Sequence, residues 1–554
     1  MDIVNDWLLA PIVGEIFNHQ AVIICEPRDK SFPLNYRIVE SNCEIPALKV
    51  GIFDITTDTK VSNLNTELRS VLLSDSLQES NYEMGTSSHA PLSSSQDSSI
   101  LTRGVSEIPQ QISKRSNDYN HEVNVTLTSN GPTRIVVDFP GESDAEYILE
   151  WYQMTPEGKK HIFHHGIRDA NKADKLIFVS CDFLEADTNI EDSMWTRMQE
   201  ELIPKRNSAS LGQRPNQQTC LIHMGDQAYM DKVFKDCVHL TLTQGQNNNT
   251  AVQILRAFGQ RYCDTWMPHH NILAGLSNYH IWDDHEIKNN LTLNDLTISE
   301  DEKYVRDLAI QAYIQYQESL HLKQTEILSR YSWCKRMGDL LIIAIERTSR
   351  NIPVSEILQA ITNQTEQNQI MTLDSTRQRP DTINRLILCF VSAPIPPPHG
   401  TYGSLYRKLT GDKGTTKTSK FWPADELADL YKGLFDWMEN DRNREVLVVG
   451  GDLHFGTYGV ARRGTLSIPV VIASPITNQP TTDRWLASKG MKGTHHITNS
   501  SEGNITFTTI ASRARRCYAT VNLNTVPMHI IMKYSAHKLP KSNLKYLKTI
   551  LSFR

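Results

Sequence analysis

Residues 279–290 read YHIWDDHEIKNN, a stretch in which an aromatic and β-branched run passes directly into acidic residues. The apolar part predicts a buried strand, and it is followed at once by Asp283, Asp284, His285 and Glu286. Carboxylates that are buried without a partner destabilise a fold by on the order of several kcal/mol each. The acidic cluster therefore predicts a positively charged partner at the end of this strand.

Other short apolar runs after residue 170 predict further buried strands. They are KLIFVS (175–180), TCLIHMG (219–225), NYHIW (278–282), LLIIAIE (340–346), LILCFVS (386–392) and EVLVVGG (445–451). Residues 300–322 and 423–440 have the apolar spacing of helices, and TQGQNNNT (243–250) predicts a loop. Strands that alternate with helices predict an α/β fold with helices on both faces of a sheet.

The remaining sequence predicts an organisation in three parts. Runs such as AVIICE and RIVVDF predict a small antiparallel β-domain over residues 1–165. Residues 57–123 are rich in serine and poor in aromatics, which predicts a mobile, disordered insertion in that domain. Residues 166–535 form the predicted catalytic domain, and the basic, amphipathic tail 536–554 predicts a packing helix.

Composition narrows the class of protein. Of 554 residues, 39% are hydrophobic and 22% charged, which suits a large soluble protein, and the net charge of −6 gives no indication of nucleic-acid binding. No run approaches the roughly eighteen apolar residues of a membrane helix, and the N-terminus lacks the features of a secretion signal. The nine cysteines are odd in number and have no CxxC spacing, which favours reduced thiols in a cytoplasmic protein.

Four of the predicted strands run into side chains that bind metals. These are Cys181 after KLIFVS, Asp226 and Tyr229 after TCLIHMG, the acidic cluster after NYHIW, and Asp452 and His454 after EVLVVGG. In open α/β sheets, ligands bind beyond the carboxyl ends of the strands. Thiol, carboxylate, phenol and imidazole groups gathered there predict a metal centre.

Each motif has a structural explanation when it is taken alone. Cys181 could be an ordinary core thiol, Asp226 could cap a helix after the turn at Gly225, and the acidic cluster could begin a helix. Capping does not explain why the thiol and two imidazoles also follow strands. The combination therefore favours the metal centre.

The motifs SCD, HMGDQAYMD, IWDDHEIKNN and VVGGDLHFG occur in this order and resemble those of the PhoD-like alkaline phosphatases. That family belongs to the calcineurin-like metallophosphoesterases, and the resemblance spans most of residues 175–480. It implies a metallophosphatase β-sandwich flanked by helices and preceded by the small antiparallel β-domain. It also implies a metal-dependent hydrolase of phosphate monoesters, diesters or both, which acts through a hydroxide activated by two metals.

The resemblance also implies a role for each site residue. One metal would be held by Cys181, Asp226, Tyr229 and His454, and the other by Asp226, Asp284 and Asp452, with support from Asn290. His285 would stabilise the transition state or protonate the leaving oxygen, while Asp283 and Glu286 would orient the ligands. Thiolate and phenolate ligands make iron(III) plausible in the first position, with calcium or another divalent metal in the second.

The sequence also offers candidate residues for binding the substrate, and it leaves one alternative function open. Arg256, Arg261 and Arg347 are candidate phosphate clamps, although for each of them a surface or packing role is the more common one for an arginine. The expected partner is a phosphate-ester substrate. The alternative is a catalytically silent metal-binding scaffold, which would use the β-domain to contact a partner protein or a membrane surface.

Overall fold

In the computed structural model, the described residues form four β-sheets with helices between the strands. The described residues are 6–17, 20–40, 111–112, 122–129, 131–139, 146–168, 173–183, 193–202, 219–291, 298–321, 331–346, 352–370, 383–410, 421–478, 480–498 and 504–536. Of the predicted insertion 57–123, only residues 111–112 and 122–123 are among them, and the predicted helix in the tail 536–554 lies outside them apart from Ala536. The proposed domain boundaries stay predictions.

The first part of the chain forms two small sheets. Its strands are β1 (Trp7–Phe17), β2 (Gln20–Pro27), β3 (Leu34–Glu40), β4 (Gln111–Ile112), β5 (Glu122–Val125), β6 (Thr133–Asp138), β7 (Glu146–Thr155) and β8 (Gly158–Arg168). One sheet has the order β1-β2-β6-β4 and the other the order β5-β3-β7-β8, and only the β4–β6 pair among them is parallel. Trp7 and Trp151 meet edge to face between the two sheets, with ring centroids 6.5 Å apart.

Two larger sheets form the rest of the described chain. Their strands are β9 (Lys175–Val179), β10 (Thr219–Met224), β11 (Ser277–Ile281), β12 (Trp333–Met337), β13 (Leu340–Ile345), β14 (Arg385–Ser392), β15 (Glu445–Gly451), β16 (Gly456–Arg463), β17 (Leu466–Ile472), β18 (Gly493–Thr498), β19 (Ile505–Arg513), β20 (Cys517–Asn522) and β21 (His529–Tyr534). The first sheet has the order β11-β10-β9-β20-β21, and the second β12-β13-β14-β15-β17-β16-β19-β18. Strands β9 to β11 run parallel, as do β13, β14, β15 and β17.

Helices lie between these strands. They are α1 (Met194–Leu202), α2 (Asp231–Gln244), α3 (Asn248–Trp266), α4 (His270–Leu273), α5 (Glu300–Tyr316), α6 (Val354–Ile370), α7 (Gly400–Thr410), α8 (Ala424–Glu439) and α9 (Thr482–Gly490), with 3₁₀ turns at Met267–His269, Asp284–Glu286 and Glu318–Leu320. The prediction that residues 243–250 form a loop was wrong at both ends of this stretch. Gln244 still belongs to α2, and the side chain of Asn247 accepts a hydrogen bond from Thr250 N and so begins α3. Across the described residues, no helix is both long and apolar enough to cross a membrane.

The two large sheets pack face to face, and helices cover their outer faces. Side chains alternate along each strand, so Leu176 and Phe178 enter the core between the sheets, while Ile177 and Val179 pack with the helices outside. The second sheet shows the same alternation, with α8 on its outer face. The α/β sandwich flanked by helices that the family resemblance implies is confirmed, with small, mainly antiparallel sheets before it. The expectation of helices on both faces of one sheet was wrong, because each large sheet has helices on one face and the other large sheet on its opposite face.

The carboxyl ends of several strands meet at one rim of this sandwich. The parallel register of β9, β10 and β11 brings their ends to the same edge of the first sheet. The end of β15 approaches from the second sheet: a methyl group at Gly451 would lie 2.6 Å from the carbonyl oxygen of Met224. Glycine is therefore required where the two sheets come together.

Candidate metal centre

Two neighbouring turns bring Cys181 and Asp226 together. The backbone nitrogen of Cys181 donates to Gly225 O (3.2 Å), and that of Asp182 donates to Asp226 O (2.8 Å). The two strands thus stay paired beyond their ends, and Cys181 Sγ lies 3.4 Å from Asp226 Oδ2. Both residues are fully buried.

Glu286 holds the turn after β10 against the turn after β11. Its carboxylate accepts hydrogen bonds from the backbone nitrogens of Asp226 (3.2 Å), Gln227 (2.7 Å) and Asp283 (2.8 Å). Gly225 has a φ of +81°, and a methyl group there would lie 2.6 Å from Cβ of Asp283. The acidic turn therefore fixes the backbone that carries Asp226.

Tyr229 and His454 lie next to Asp226 and contact each other. The Tyr229 hydroxyl donates to Asp226 Oδ2 (3.1 Å) and lies 3.1 Å from His454 Nε2. His454 and Asp452 follow β15, so they reach this point from the facing sheet. Side chains from three separate strand ends thus surround Asp226.

Asp226 belongs to each group of potential metal ligands found among the described residues. In each group, one ligand atom from every member lies within 4.8 Å of the others, and the groups are Cys181–Asp226–His454, Asp226–Asp284–His285 and Asp226–Asp283–Asp452. These contacts suit the bridging role expected of Asp226. Asp284 here groups with His285, and Asp452 with Asp283, whereas the resemblance implies that Asp284 and Asp452 share a metal; the ligand roles stay predictions.

The backbone is strained at several of the predicted metal ligands. In the described part of the chain, the non-glycine residues with positive φ are Cys181 (59°), Asp226 (58°), Asn290 (60°), Asp452 (56°) and His454 (52°). This left-handed region is unfavourable for residues with a Cβ, at roughly 1–3 kcal/mol each, and such strain concentrates at functional sites. All five belong to the metal set predicted from the sequence.

His285 is held in place by Asp231, whose role the sequence did not indicate. His285 Nδ1 lies 2.7 Å from Asp231 Oδ2, and the imidazole ring lies 4.3 Å from the ring of Tyr229. Burial lowers the pKa of His285, but Asp226, Asp231 and Asp284 outweigh it and raise the pKa to about 9. The three carboxylates therefore favour the protonated form of the imidazole.

The acidic groups around Asp226 fit a bound cation. Burial and then the charge of Asp226 raise the pKa of Asp283 well above its usual range, and raise that of Glu286 to about 8. Burial and the same carboxylate also raise the pKa values of the Cys181 thiol and the Tyr229 phenol. A cation would favour the charged form of each of these groups, and thiolate, phenolate, carboxylate and imidazole are all metal ligands.

The segment after β17 contributes contacts that the sequence analysis missed. Ser474 Oγ lies 3.2 Å from Cys181 Sγ and accepts a hydrogen bond from His454 N (3.1 Å). Asn478 Nδ2 donates to the Tyr229 hydroxyl (2.9 Å). The apolar run SIPVVIA before Ser474 is the signal that could have found it, since it too is a strand that ends in polar residues.

Arg484 lies beside the site and was also missed. Burial lowers the pKa of its guanidinium, but neighbouring groups, Asp452 first among them, raise it above the ordinary value. Its Nε pairs with Asp483 (3.4 Å), while its buried Nη1 has no partner among the described residues. Arg484 therefore offers a positive donor close to Asp452 and Cys181.

The other predicted side chains are placed as follows. Arg256 is exposed on α3, and Arg261 Nε donates to the carbonyl oxygen of Tyr229 (3.1 Å), so it braces the site loop. Arg347 lies outside the described residues. Asn290 is exposed and contacts the site through its backbone nitrogen, which donates to Asp284 Oδ2.

Comparison with known proteins gives likenesses of structure only. No protein-family model matches the chain, and no curated protein matches it. Among solved structures, it is similar to one titled "Structure of PhoD", with a TM-score of 0.49 and 12% identity over 96% of this chain and 89% of that one. It is also similar to a purple acid phosphatase from yellow lupin (Lupinus luteus) seeds, with a TM-score of 0.45 and 7% identity over 95% of this chain and 71% of that one. PhoD is the protein whose family motifs the sequence resembles, but at these values neither likeness identifies what this chain does.

Proposed function

We propose that this protein is a metal-dependent phosphoesterase that hydrolyses phosphate monoesters, diesters or both. The observation that carries the proposal is the meeting of Cys181, Tyr229, Asp284 and His454 around Asp226, from four strand ends in two sheets. A set of thiol, phenol, carboxylate and imidazole groups at one buried point suits metal binding better than packing. Phosphate esters are a class of substrate whose hydrolysis such a site can assist.

The site would hold a pair of cations with Asp226 between them. Cys181, Tyr229 and His454 suit iron(III), and the carboxylates of Asp284 and Asp452 suit calcium or another divalent cation. When bound, the cations would screen the negative charge of the ester and lower the pKa of water to about 7, which makes hydroxide available as the nucleophile. Asp283 and Glu286 would orient the ligands through the backbone contacts described above.

Two side chains of the protein would act on the ester itself, His285 at the leaving oxygen and Arg484 at the other phosphoryl oxygens. During hydrolysis, an oxygen from water forms a new bond to phosphorus while the bond from phosphorus to the leaving oxygen breaks. Asp231 holds His285 in place, and a protonated imidazole there could supply the proton that the leaving oxygen needs. The Arg484 guanidinium can bind the other phosphoryl oxygens through paired donors.

The protein would work in the cytoplasm. The cysteines that the structure describes are Cys25, Cys181, Cys220, Cys237, Cys263, Cys334, Cys389 and Cys517, and all of these are free thiols. Free thiols suit a reducing compartment. A site that relies on the thiol of Cys181 would also be protected there from oxidation.

The experiment compares two simple esters, 4-nitrophenyl phosphate and bis(4-nitrophenyl) phosphate, with metal-loaded protein. Release of nitrophenolate from either ester, its loss on addition of a chelator and its recovery with metal would support the proposal. The ratio of the two rates would decide between monoester and diester. A folded, metal-loaded protein that cleaves neither ester would contradict the proposal and favour the scaffold alternative.

A further inference from the structure

A basic cleft adjoins the proposed catalytic site. It has a volume of about 610 Å³ and lies between the end of α9 and the end of β19. Its lining includes Trp485, Lys489, Lys492, Ile510, Arg513 and Arg515. These residues come from two segments, which form the opposite walls of the cleft.

The cleft concentrates positive charge in an acidic protein. Among the described residues that line it are two lysines and two arginines but no acidic residue, although the net charge of the chain is −6. With the described carboxylates, none of the four forms an ion pair: Lys489 Nζ lies over the Trp485 ring, Arg513 lies over the Tyr534 ring, and Arg515 Nη1 donates to Ser535 O (3.2 Å). A concave surface with one sign of charge focuses its field and attracts ions of the opposite sign.

The cleft also offers apolar surface. Ile510 is 58% exposed, and the indole of Trp485 stands edge to face with Tyr402, with ring centroids 5.8 Å apart. Tyr402 is itself 41% exposed. An aromatic ring beside cationic side chains suits a ligand that carries a planar group next to its negative charge.

Both walls of the cleft continue from the catalytic site. On α9, Trp485 directly follows Arg484, which interacts electrostatically with Asp452 and, less strongly, with Cys181. On the other wall, Arg513 pairs across the sheet with Gly456, which lies two residues after His454. A substrate whose phosphate lies beside Arg484 would therefore extend into the cleft.

We infer that the cleft binds the part of the substrate beyond the phosphate that is cleaved, and that this part carries a second anionic group next to a planar one. The inference rests on the proposed phosphoesterase function and defines its substrate class. The class is organic phosphates with two phosphate groups, rather than small monophosphates. The second phosphate would contact Lys489, Lys492 and Arg513, and the planar group would lie against Trp485.

The test compares esters that differ in one phosphate. Phosphate release would be measured for adenosine 3′,5′-bisphosphate and adenosine 5′-monophosphate, and nitrophenolate release for 4-nitrophenyl phosphate. We expect kcat/KM to be at least about tenfold higher for the bisphosphate than for the monophosphate, as removal of a charged hydrogen-bond partner implies. This preference should shrink as salt is added, because the cleft charges are partly exposed.

Variants of the cleft give the second arm of the test. Lys489→Ala/Lys492→Ala and, separately, Arg513→Ala should each lower kcat/KM for the bisphosphate by about tenfold and leave 4-nitrophenyl phosphate unchanged. Arg462→Ala is the matched control, since Arg462 is exposed on β16 six residues from Gly456, about 20 Å along the strand. It should change neither rate.

The outcomes separate the two proposals. If 4-nitrophenyl phosphate is cleaved but the bisphosphate is not preferred, or if the cleft variants leave its rate unchanged, the cleft inference is wrong and the phosphoesterase stands. If the metal-loaded protein cleaves none of these three monoesters but does cleave bis(4-nitrophenyl) phosphate, the cleft inference is wrong and the phosphoesterase stands. If it cleaves none of the four esters, the phosphoesterase fails and the inference fails with it.

Discussion

The hydroxyl of Tyr229 lies 3.1 Å from Nε2 of His454, although 225 residues separate the two in the chain. Tyr229 follows β10 in one sheet, and His454 follows β15 in the facing sheet. Their contact therefore joins the two sheets at the rim where Cys181 and Asp226 also lie. A cation bound there would be held by both halves of the sandwich.

Tyr229→Phe tests whether the phenol is a ligand. The substitution removes the oxygen that contacts Asp226, His454 and Asn478 and keeps the ring that packs on His285. We expect affinity for iron(III) to fall by at least about tenfold, and the phenolate-to-iron charge-transfer band of the iron-loaded protein to disappear while the band from the Cys181 thiolate remains. Tyr304→Phe is the control, because among the described residues the Tyr304 hydroxyl bonds only to the carbonyl oxygen of Asn247. An unchanged spectrum in Tyr229→Phe would exclude the phenol as a ligand.

Arg484→Ala tests the arginine that the structure adds to the site. Loss of a charged donor to the phosphoryl oxygens should lower kcat/KM for 4-nitrophenyl phosphate by about 10- to 100-fold. Arg484→Lys should recover part of this loss, because it keeps the charge but not the paired donors. Arg256→Ala should have no effect, since Arg256 is exposed on α3. A larger loss in Arg256→Ala than in Arg484→Ala would reverse the assignment.

Glu286→Gln tests the carboxylate that fixes the Asp226 turn. Glutamine has one acceptor oxygen where glutamate has two, and its amide group would face backbone N–H donors. We expect the free energy of unfolding to fall by about 1–3 kcal/mol, as measured by urea denaturation, and turnover to fall with it. Glu300→Gln is the control, because the side chain of Glu300 is 82% exposed in the first turn of α5. Equal stability of the two variants would show that the contacts of Glu286 contribute little.

Buried histidines predict that stability decreases in acid. Burial lowers the pKa of His223 to about 4, although its bonds to Asn278 and Gln227 oppose the shift. An unfolded histidine takes up its proton near pH 6.5, so between about pH 6.5 and 4 the unfolded state binds more protons than the folded state. The contribution of His223 is fully present above pH 6.5, and it falls by about 1.4 kcal/mol per pH unit below that.

Urea denaturation at several pH values between 7 and 4.5 measures this effect. His223→Gln should reduce the slope of stability against pH over that range by about 1.4 kcal/mol per unit. His239→Gln should leave the slope as it is, because His239 is exposed on α2. Equal slopes in wild type and His223→Gln would show that His223 is not held neutral in the fold.

The sequence predicted those parts of the fold whose strands are buried on both faces. Strands β9 to β11 and β13 to β15 are continuous apolar runs. The sequence predicted each of them to within about two residues, because short apolar runs of this kind are typical of strands buried on both faces. Strands β16 to β21 were not predicted. They are largely antiparallel and partly exposed, and in β19 buried and part-buried residues alternate only over its first four residues, so neither a continuous apolar run nor a full alternating pattern marks it.

The site residues also divide into those that follow a recognisable apolar strand and those that only the packing of the fold brings to the site. Cys181, Asp226 and Asp452 could be predicted because each follows a recognisable strand, and parallel strands bring their ends together. Arg484 could not be predicted, because it lies in α9 and reaches the site only through the packing of that helix. Asp231 likewise looked like an ordinary helix start, and only the fold brings it within 2.7 Å of His285.

The most direct test of the central claim, that distant segments jointly bind cations around Asp226, is a measurement of metal content. Wild-type protein and Asp226→Asn would be loaded with iron and calcium, freed of excess metal and measured by plasma mass spectrometry, with circular dichroism to show that both are folded. We predict about two bound metals per wild-type chain. We predict that Asp226→Asn binds less metal and no longer hydrolyses the esters. A folded wild-type protein that retains no metal, or an Asp226→Asn variant with undiminished metal content, would contradict the account.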